Sequence, residues 1–252
     1  MKLLALVLSF GLAMGSPALV ASESVDPLES ARWGDMRKLF FGTQQLVFDD
    51  RVKVIGPADA ENPMQVPITV DATALGSVQE VLVFADFNPI LQILRFFPQR
   101  ASAFLGFRIK LQQSSPVRAA ALTSDGVWHL GGTWINTVGG GCTAPSAASA
   151  APEWQRRLNE VSGRQWTSGP MSGRVRMRII HPMDTGLVAG FPAFYLEDIE
   201  FLDPEDRLLM RVQPFEPVSE NPVFTLQQGV PGRVQTVGRD NNGNRFKTWI
   251  EP

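Results

Sequence analysis

The chain has 252 residues, a formal net charge of −2 and hydrophobic residues at 44% of its positions. A charge this close to zero excludes the broadly basic surface of a nucleic-acid-binding protein, while the apolar content is sufficient for a packed core. The 22 glycines and 19 prolines suit many short strands joined by turns better than they suit a helical bundle.

The N-terminus has the three parts of a secretory signal peptide. A short positive start precedes an apolar run from Leu3 to Met14, and small residues lead to a cleavage site after Ser22. The run is too short to span a membrane, and no cysteine near the cleavage site could carry a lipid anchor. We therefore expect residues 1–22 to be removed and the mature protein to be periplasmic, without a membrane anchor.

The first half of the mature chain predicts a short helix followed by a series of strands. Trp33, Met36 and Phe40 share one face of a helix over Glu29–Phe41. Alternating or continuous apolar residues then predict strands around Val52–Val54, Val66–Val70, Val81–Phe84, Phe107–Leu111, Val117–Leu122 and Val127–Ile135. This spacing is typical of an immunoglobulin-like sandwich, which we place at residues 29–138.

The composition changes abruptly after Val138. Residues 139–151 contain only Gly, Cys, Thr, Ala, Pro and Ser. A short helix that begins at Pro152 and ends at Gly163 is predicted within the stretch that follows. We interpret residues 139–173 as an interdomain linker that contains this helix.

A second series of strands begins at Arg174, where Val175, Met177 and Ile179 alternate strictly with arginines. Further strands are predicted at Phe194–Leu202, Leu208–Val212, Val223–Leu226, Arg233–Val237 and Arg245–Ile250. Residues 174–252 therefore predict a second sandwich. The expected fold class is all-β, with two immunoglobulin-like β-sandwich domains, a short N-terminal helix and a linker helix.

The arginines at 174, 176 and 178 predict a positive stripe on one face of that strand. A solvated sheet face is the simplest explanation, because long charged side chains usually point into water. A docking surface for the linker, for the first domain or for an acidic partner is the alternative.

Cys142 is the only cysteine and directly follows Gly139, Gly140 and Gly141. Glycine has no side-chain bulk and a permissive φ, so the three glycines predict a flexible tether that presents an accessible thiol. A lone cysteine in an exported chain stays free, pairs with another chain or is used for its reactivity. We expect Cys142 to be solvent-accessible, to hold a covalent cargo, and to form some disulfide-linked homodimer under oxidising conditions.

The sequence around Cys142 offers no group that would activate the thiol. The nearest basic residues along the chain are His129 and Arg156, so activation would require a partner that folding brings near. A thiol hydrolase would need a histidine beside the cysteine, but His129 lies in a predicted strand and His181 stands where it would fix a turn. No close ligand pair is present, so we expect no metal site, no cofactor and no catalytic residue.

The mature chain resembles a fusion of SoxY and SoxZ, the two subunits of the thiosulfate-oxidation carrier. The segments of the first half that resemble SoxY are Trp33–Phe41, Val66–Ile68, Asp86–Pro89 and Val138–Cys142. In the second half, His181–Gly186 and Pro217–Pro222 resemble two loops of SoxZ. More narrowly, the chain resembles the fused SoxYZ-like carriers associated with quinoprotein dehydrogenases.

This resemblance implies a carrier that is not an enzyme. Cys142 would hold sulfur-containing intermediates, as in thiosulfate oxidation, and pass them between periplasmic redox enzymes or cytochromes. In SoxY the cysteine lies in a Gly-Gly-Cys-Gly-Gly tail at the C-terminus, whereas here Thr143, Ala144 and Pro145 follow it, so the cargo stays open. The alternative is an accessory binding module that docks a quinoprotein dehydrogenase or its cytochrome and holds no covalent cargo.

Overall fold

A computed structural model describes four segments of the chain, namely residues 25–146, 153–167, 173–228 and 232–252. The predicted signal peptide lies outside them, as do residues 147–152 and 168–172 of the predicted linker. Within the described segments, no helix combines the length and the apolar character needed to cross a membrane.

The elements follow one another as a helix and a long series of strands. In the first half these are α1 (Trp33–Phe40), β1 (Leu46–Phe48), β2 (Lys53–Ile55), β3 (Asp59–Ala60), β4 (Val66–Asp71), β5 (Val78–Ala85), β6 (Gln92–Phe97), β7 (Ala101–Ile109), β8 (Ser115–Thr123) and β9 (Trp128–Thr137). In the second half they are β10 (Val161–Thr167), β11 (Gly173–Ile179), β12 (Leu196–Leu202), β13 (Leu208–Pro214), β14 (Val223–Gln228), β15 (Val234–Asp240) and β16 (Arg245–Ile250). Short 3-10 helices lie at Thr73–Leu75 and Trp154–Arg157.

The described strands form two sheets that pack against each other. The larger sheet has the order β1-β9-β8-β5-β6-β13-β12-β15-β16, with β3 paired to β9, and the smaller has the order β10-β11-β14-β7-β4-β2. A single cluster of buried apolar side chains lies between them, and it includes Val66 and Val175 of the smaller sheet with Val81 and Ile199 of the larger. The prediction of an all-β fold is confirmed.

The packing of strand β5 explains why its sequence is apolar at successive positions. Val81 and Val83 face the core between the sheets, while Leu82 and Phe84 point to the other side of the sheet. There α1 covers them with Met36, and a second apolar cluster forms. Because both faces of β5 are buried, the strand has no polar alternation.

Both sheets continue from the first half of the chain into the second. Strand β6 pairs with β13, as in Phe96↔Val212, and β7 pairs with β14, as in Leu105↔Leu226. Backbone hydrogen bonds of both sheets and one shared core therefore join the two halves. This junction places the end of β7 beside loops of the second half, which is where Cys142 lies.

The predicted linker is wrong in part, because residues Val161–Thr167 form strand β10. This strand pairs with β11 along its whole length, from Val161↔Ile179 to Thr167↔Gly173. The expected helix is limited to the 3-10 helix Trp154–Arg157. As an edge strand, β10 is mostly exposed and shows no alternation of burial, so its sequence lacks the pattern that predicts a strand.

A buried ion-pair network fixes the segment before α1 to strand β8. The Arg118 guanidinium donates two hydrogen bonds to Asp26, at 2.8 and 2.7 Å, and further bonds to Asp86 at 3.0 and 3.1 Å. The ring of Trp33 lies 4.7 Å from the guanidinium carbon. Asp86 opens the loop that reaches Asn88, a residue of the site described next.

Candidate functional site

Cys142 is buried, with 0% of its surface exposed, so the prediction of a solvent-accessible thiol is wrong for this folded state. The thiol lies 3.7 Å from the carbonyl oxygen of Lys110, to which its S–H donates. The backbone N–H of Cys142 donates to Oε1 of Gln112 at 3.2 Å. The residues that cover the thiol are distant in sequence. The small residues next to Cys142 therefore did not predict that the thiol is buried.

The three glycines before Cys142 hold the loop down and do not act as a free tether in this state. The N–H groups of Gly140 and Gly141 donate to the carbonyl oxygens of Gln112 and Leu111, at 2.9 and 3.0 Å. Gly139 and Gly140 both have φ of +87°, which favours glycine. A Cβ on Gly141 would overlap the carbonyl oxygens of Pro63 and Leu111, so no other residue fits this close approach.

Asn88 holds the segment beneath the cysteine loop. Its side-chain N–H donates to the carbonyl oxygen of Lys110 at 2.9 Å, and its Oδ1 accepts from the N–H of Gln112 at 2.9 Å. Asn88 is itself buried. The Asp86–Pro89 segment therefore supports the backbone that binds Cys142.

The loop His181–Gly186 of the second half covers the cysteine. The Thr185 hydroxyl donates to the carbonyl oxygen of Cys142 at 2.6 Å. Oδ1 of Asp184 accepts from the N–H of Ser146 at 3.3 Å. Both ends of the Cys142–Ser146 stretch are thus bonded to the loop His181–Gly186.

His181 shapes this loop, and its predicted role as a turn-fixing residue is confirmed. Its Nδ1 accepts from the N–H of Met183 at 3.1 Å, and Met183 adopts a left-handed φ of +53°. The ring packs on Phe194 at 4.5 Å between centroids. Burial lowers the pKa of His181 below its ordinary value, so the ring is neutral at pH 7.

Asp240 faces the other side of the His181 ring. Its Oδ2 lies 3.7 Å from Nε2 of His181, which is longer than a normal hydrogen bond. Burial would raise the pKa of Asp240, but His181 and donors such as Asn244 outweigh it and hold the pKa at about 2. No hydrogen bond or ion pair among the described residues joins either histidine to the thiol, and His129 instead contacts Asp49 at 2.8 Å.

Lys110 is the site residue that the sequence did not reveal. It lies within the predicted strand Phe107–Leu111, yet its side chain is buried and its Nζ donates to the carbonyl oxygen of Met183. A longer contact of 3.5 Å joins Nζ to the carbonyl oxygen of Glu216. Burial lowers the pKa of Lys110 to about 8, although electrostatic interactions with Cys142, Asp184, Glu220 and Glu216 oppose this shift.

The electrostatics of the thiol follow from the same burial. Burial raises the pKa of Cys142 to about 11, and the Lys110 ammonium only partly offsets the effect. The cysteine in this buried state of its loop, which we call the docked state, is therefore a protonated thiol at neutral pH. Because the thiolate is the nucleophile, this state of the site protects the sulfur from reaction.

The loop Pro217–Pro222 connects these parts. The N–H of Lys110 donates to the carbonyl oxygen of Pro217 at 2.7 Å, and the N–H of Asn221 donates to the carbonyl oxygen of His181 at 2.8 Å. One loop thus links the end of β7 to the loop that covers Cys142. The structure brings together four segments that the sequence singled out, which are Asp86–Pro89, Val138–Cys142, His181–Gly186 and Pro217–Pro222.

The chemistry of this arrangement is that of a single protected sulfur. Within the described segments, no group of three or more His, Cys, Asp or Glu side chains is placed to hold a metal ion. The contacts of Cys142 are backbone carbonyls, amides and a hydroxyl, together with the nearby charge of Lys110. These groups can hide or release a thiol, and Lys110 can stabilise its ionised form.

The comparisons with known proteins cover less than half of the chain. Residues 37–142 match the family model described as sulfur oxidation protein SoxY. The solved structure of the sulfur carrier protein SoxY from Chlorobium limicola f thiosulfatophilum is similar at 16% identity and a TM-score of 0.37, over 42% of this chain and 96% of that chain. No curated protein matches the chain. Over residues 37–142, a stretch that ends at the buried cysteine, the chain is similar to the sulfur oxidation protein SoxY.

Proposed function

We propose that this protein is a periplasmic sulfur carrier that holds sulfur-containing intermediates covalently on Cys142. The observation that carries the proposal is the position of this cysteine. It is the last residue of the stretch that matches SoxY, and both halves of the chain build its binding site. The site that both halves of the chain build around this one sulfur supports its use as the attachment point.

Loading requires the cysteine loop to leave its site. In the docked state the thiol is buried and protonated, so an electrophile or an enzyme cannot reach it. The loop is held by a few hydrogen bonds, from Gly140, Gly141, Cys142 and Thr185. Each bond contributes about 1 kcal/mol. Thermal fluctuation or the binding energy of a partner can therefore open the loop.

With thiosulfate as cargo, the loading step releases electrons. The Cys142 thiol and thiosulfate form a cysteine S-thiosulfonate, in which a new S–S bond joins the two sulfurs, with release of one proton and two electrons. A redox enzyme or cytochrome must accept these electrons, because the chain has no second cysteine and therefore no internal dithiol to take them up. The carrier thus depends on a periplasmic redox partner and performs no catalysis itself.

The experiment is intact-protein mass spectrometry of material purified from its native host without reductant. A carrier should show an added mass of persulfide, sulfonate or thiosulfonate type that dithiothreitol removes. The adduct should be absent from Cys142→Ser. A protein that always emerges as the unmodified thiol, with a serine variant that supports the same growth on thiosulfate, would refute the carrier.

The burial of the thiol favours a second candidate, an accessory module that docks a quinoprotein dehydrogenase or its cytochrome and holds no cargo. In that case Cys142 would serve only as a small apolar residue that packs the loop against Lys110 and Thr185. Cys142→Ser separates the two functions, because it abolishes a carrier and leaves a docking module active.

A further inference from the structure

The outer face of the smaller sheet carries a cluster of exposed arginines, which we call the arginine face. Its members are Arg108 on β7, Arg164 on β10, and Arg174, Arg176 and Arg178 on β11. Strand pairing places them on one side of the sheet, because Arg164 is directly opposite Arg176, and β14 alone lies between β11 and β7. Only Asp71 adds a carboxylate to this side of β4.

These arginines differ from most others in the chain. Eleven of the eighteen arginines form an ion pair with a carboxylate within the described segments. Of the remaining seven, five belong to the arginine face. Like charges directly opposite each other in a sheet are destabilising, so the pair Arg164 and Arg176 is a cost that an external anion would remove.

The aromatic side chains on this face indicate what kind of anion it meets. Trp166 lies directly opposite Arg174 and is 43% exposed. The guanidinium of Arg174 lies 4.8 Å from the ring centre of Phe104 on β7. Arginine and exposed tryptophan are the residues that most often dominate protein–protein interfaces.

The chemistry of the guanidinium also favours a protein partner. Its planar fork matches a carboxylate with two parallel hydrogen bonds, and residues at alternate positions of a strand lie roughly 7 Å apart. The net charge of −2 for the whole chain leaves the rest of the surface unsuited to nucleic acid or to an anionic membrane. A restricted basic face on an acidic protein therefore selects a partner with a local acidic surface.

We propose that the arginine face docks a protein partner through a patch of aspartate and glutamate side chains. Strand β11 runs directly into the loop His181–Gly186, and Arg178 lies three residues before His181, roughly 10 Å of extended chain. A partner seated on this face is next to the loop that covers Cys142. An effect of this docking on the loading of Cys142 rests on the proposed function, whereas the docking itself does not.

The test is a pair of charge-matched double variants of the mature protein. Arg164→Glu with Arg176→Glu reverses the centre of the arginine face. Arg245→Glu with Lys247→Glu makes the same charge change at two exposed residues of β16 on the other sheet. The probe is poly-L-glutamate at about 10 mM ionic strength, where charges are screened over about 30 Å, and binding is followed by tryptophan fluorescence.

We expect the face variant to bind poly-L-glutamate at least about tenfold more weakly, a loss of roughly 1.4 kcal/mol, and the β16 variant to bind like the parent protein. Arg164→Lys with Arg176→Lys should lose part of the affinity, because lysine keeps the charge but not the fork. Trp166→Phe should remove the fluorescence change. Equal binding by the two double variants would overturn the proposal.

Other occupants give different results. Face-dependent binding to heparin, or to vesicles of phosphatidylglycerol and phosphatidylcholine in equal parts, without binding to poly-L-glutamate, would assign the face to another polyanion and overturn the proposal. A low-salt dimer in sedimentation that the face variant abolishes would assign it to a second copy and also overturn it. Cys142→Ser should bind the probe unchanged, so a failed carrier and a failed docking surface are distinguishable.

Discussion

The Thr185 hydroxyl donates a hydrogen bond of 2.6 Å to the carbonyl oxygen of Cys142, across 43 positions of sequence. This bond joins the end of the stretch that matches the SoxY family model to the loop His181–Gly186 of the second half. Here it lies within one chain, so opening the cysteine site is an intramolecular event.

The first prediction is that Cys142 reacts slowly in the folded protein. A thiol whose pKa is about 11 has roughly 100-fold less thiolate at pH 8 than one whose pKa lies near 9, and burial slows the reagent further. Stopped-flow reaction with a disulfide reagent should therefore be at least about 100-fold slower in native than in denatured protein. Equal rates would show that the docked loop is not the main solution state.

The second prediction is that Thr185→Val opens the cysteine site. Loss of the bond to Cys142 should destabilise the docked loop by about 1 kcal/mol and raise the thiol reaction rate about fivefold. Thr248→Val is the matched control, because Thr248 lies on β16 and makes no hydrogen bond to the cysteine loop within the described residues. If both variants react at the parent rate, the Thr185 bond does not control access.

The third prediction concerns stability at alkaline pH. The folded pKa of Lys110 is about 8, below that of an ordinary lysine at about 10.4. Between these values the unfolded chain binds more protons than the folded chain, so Lys110 makes stability rise with pH. Below pH 8 the lysine is charged in both the folded and the unfolded state, so the folded state is destabilised by the full cost of burying the charge.

Cys142 acts in the opposite direction at higher pH. Its folded pKa is about 11, so above its ordinary value the folded chain keeps a proton that the unfolded chain loses, and stability falls. The parent protein should therefore gain stability just above pH 8 and level off above pH 9. Urea unfolding of Lys110→Met should lack the gain, and Lys247→Met, at an exposed lysine, should retain it.

The fourth prediction is that both halves unfold together. Because β6 pairs with β13 and β7 pairs with β14, neither half can unfold without exposing the edges and core of the other. Calorimetry should show one transition with equal calorimetric and van't Hoff enthalpies. Two transitions that match the separately expressed halves would contradict this.

The strands could be read from the sequence where one or both of their faces are buried. Val175, Met177 and Ile179 are buried between exposed arginines, as their alternation predicts. The apolar run of β5 likewise predicts a strand with two covered faces. Strand β10 could not be read in this way, because pairing with β11 holds this exposed edge and its own side chains are little buried.

The amino-acid sequence by itself determined the all-β fold, the single cysteine and the row of arginines, because these depend on residue type and on a local period of two. Only the tertiary structure decided that Cys142 is buried, that Lys110 lies near it and that both sheets cross the junction between halves. Glycines at 139–141 allow a free tether and a tightly docked loop equally well. The choice between them depends on carbonyl, amide and hydroxyl groups about 30 to 43 positions away, which no local pattern encodes.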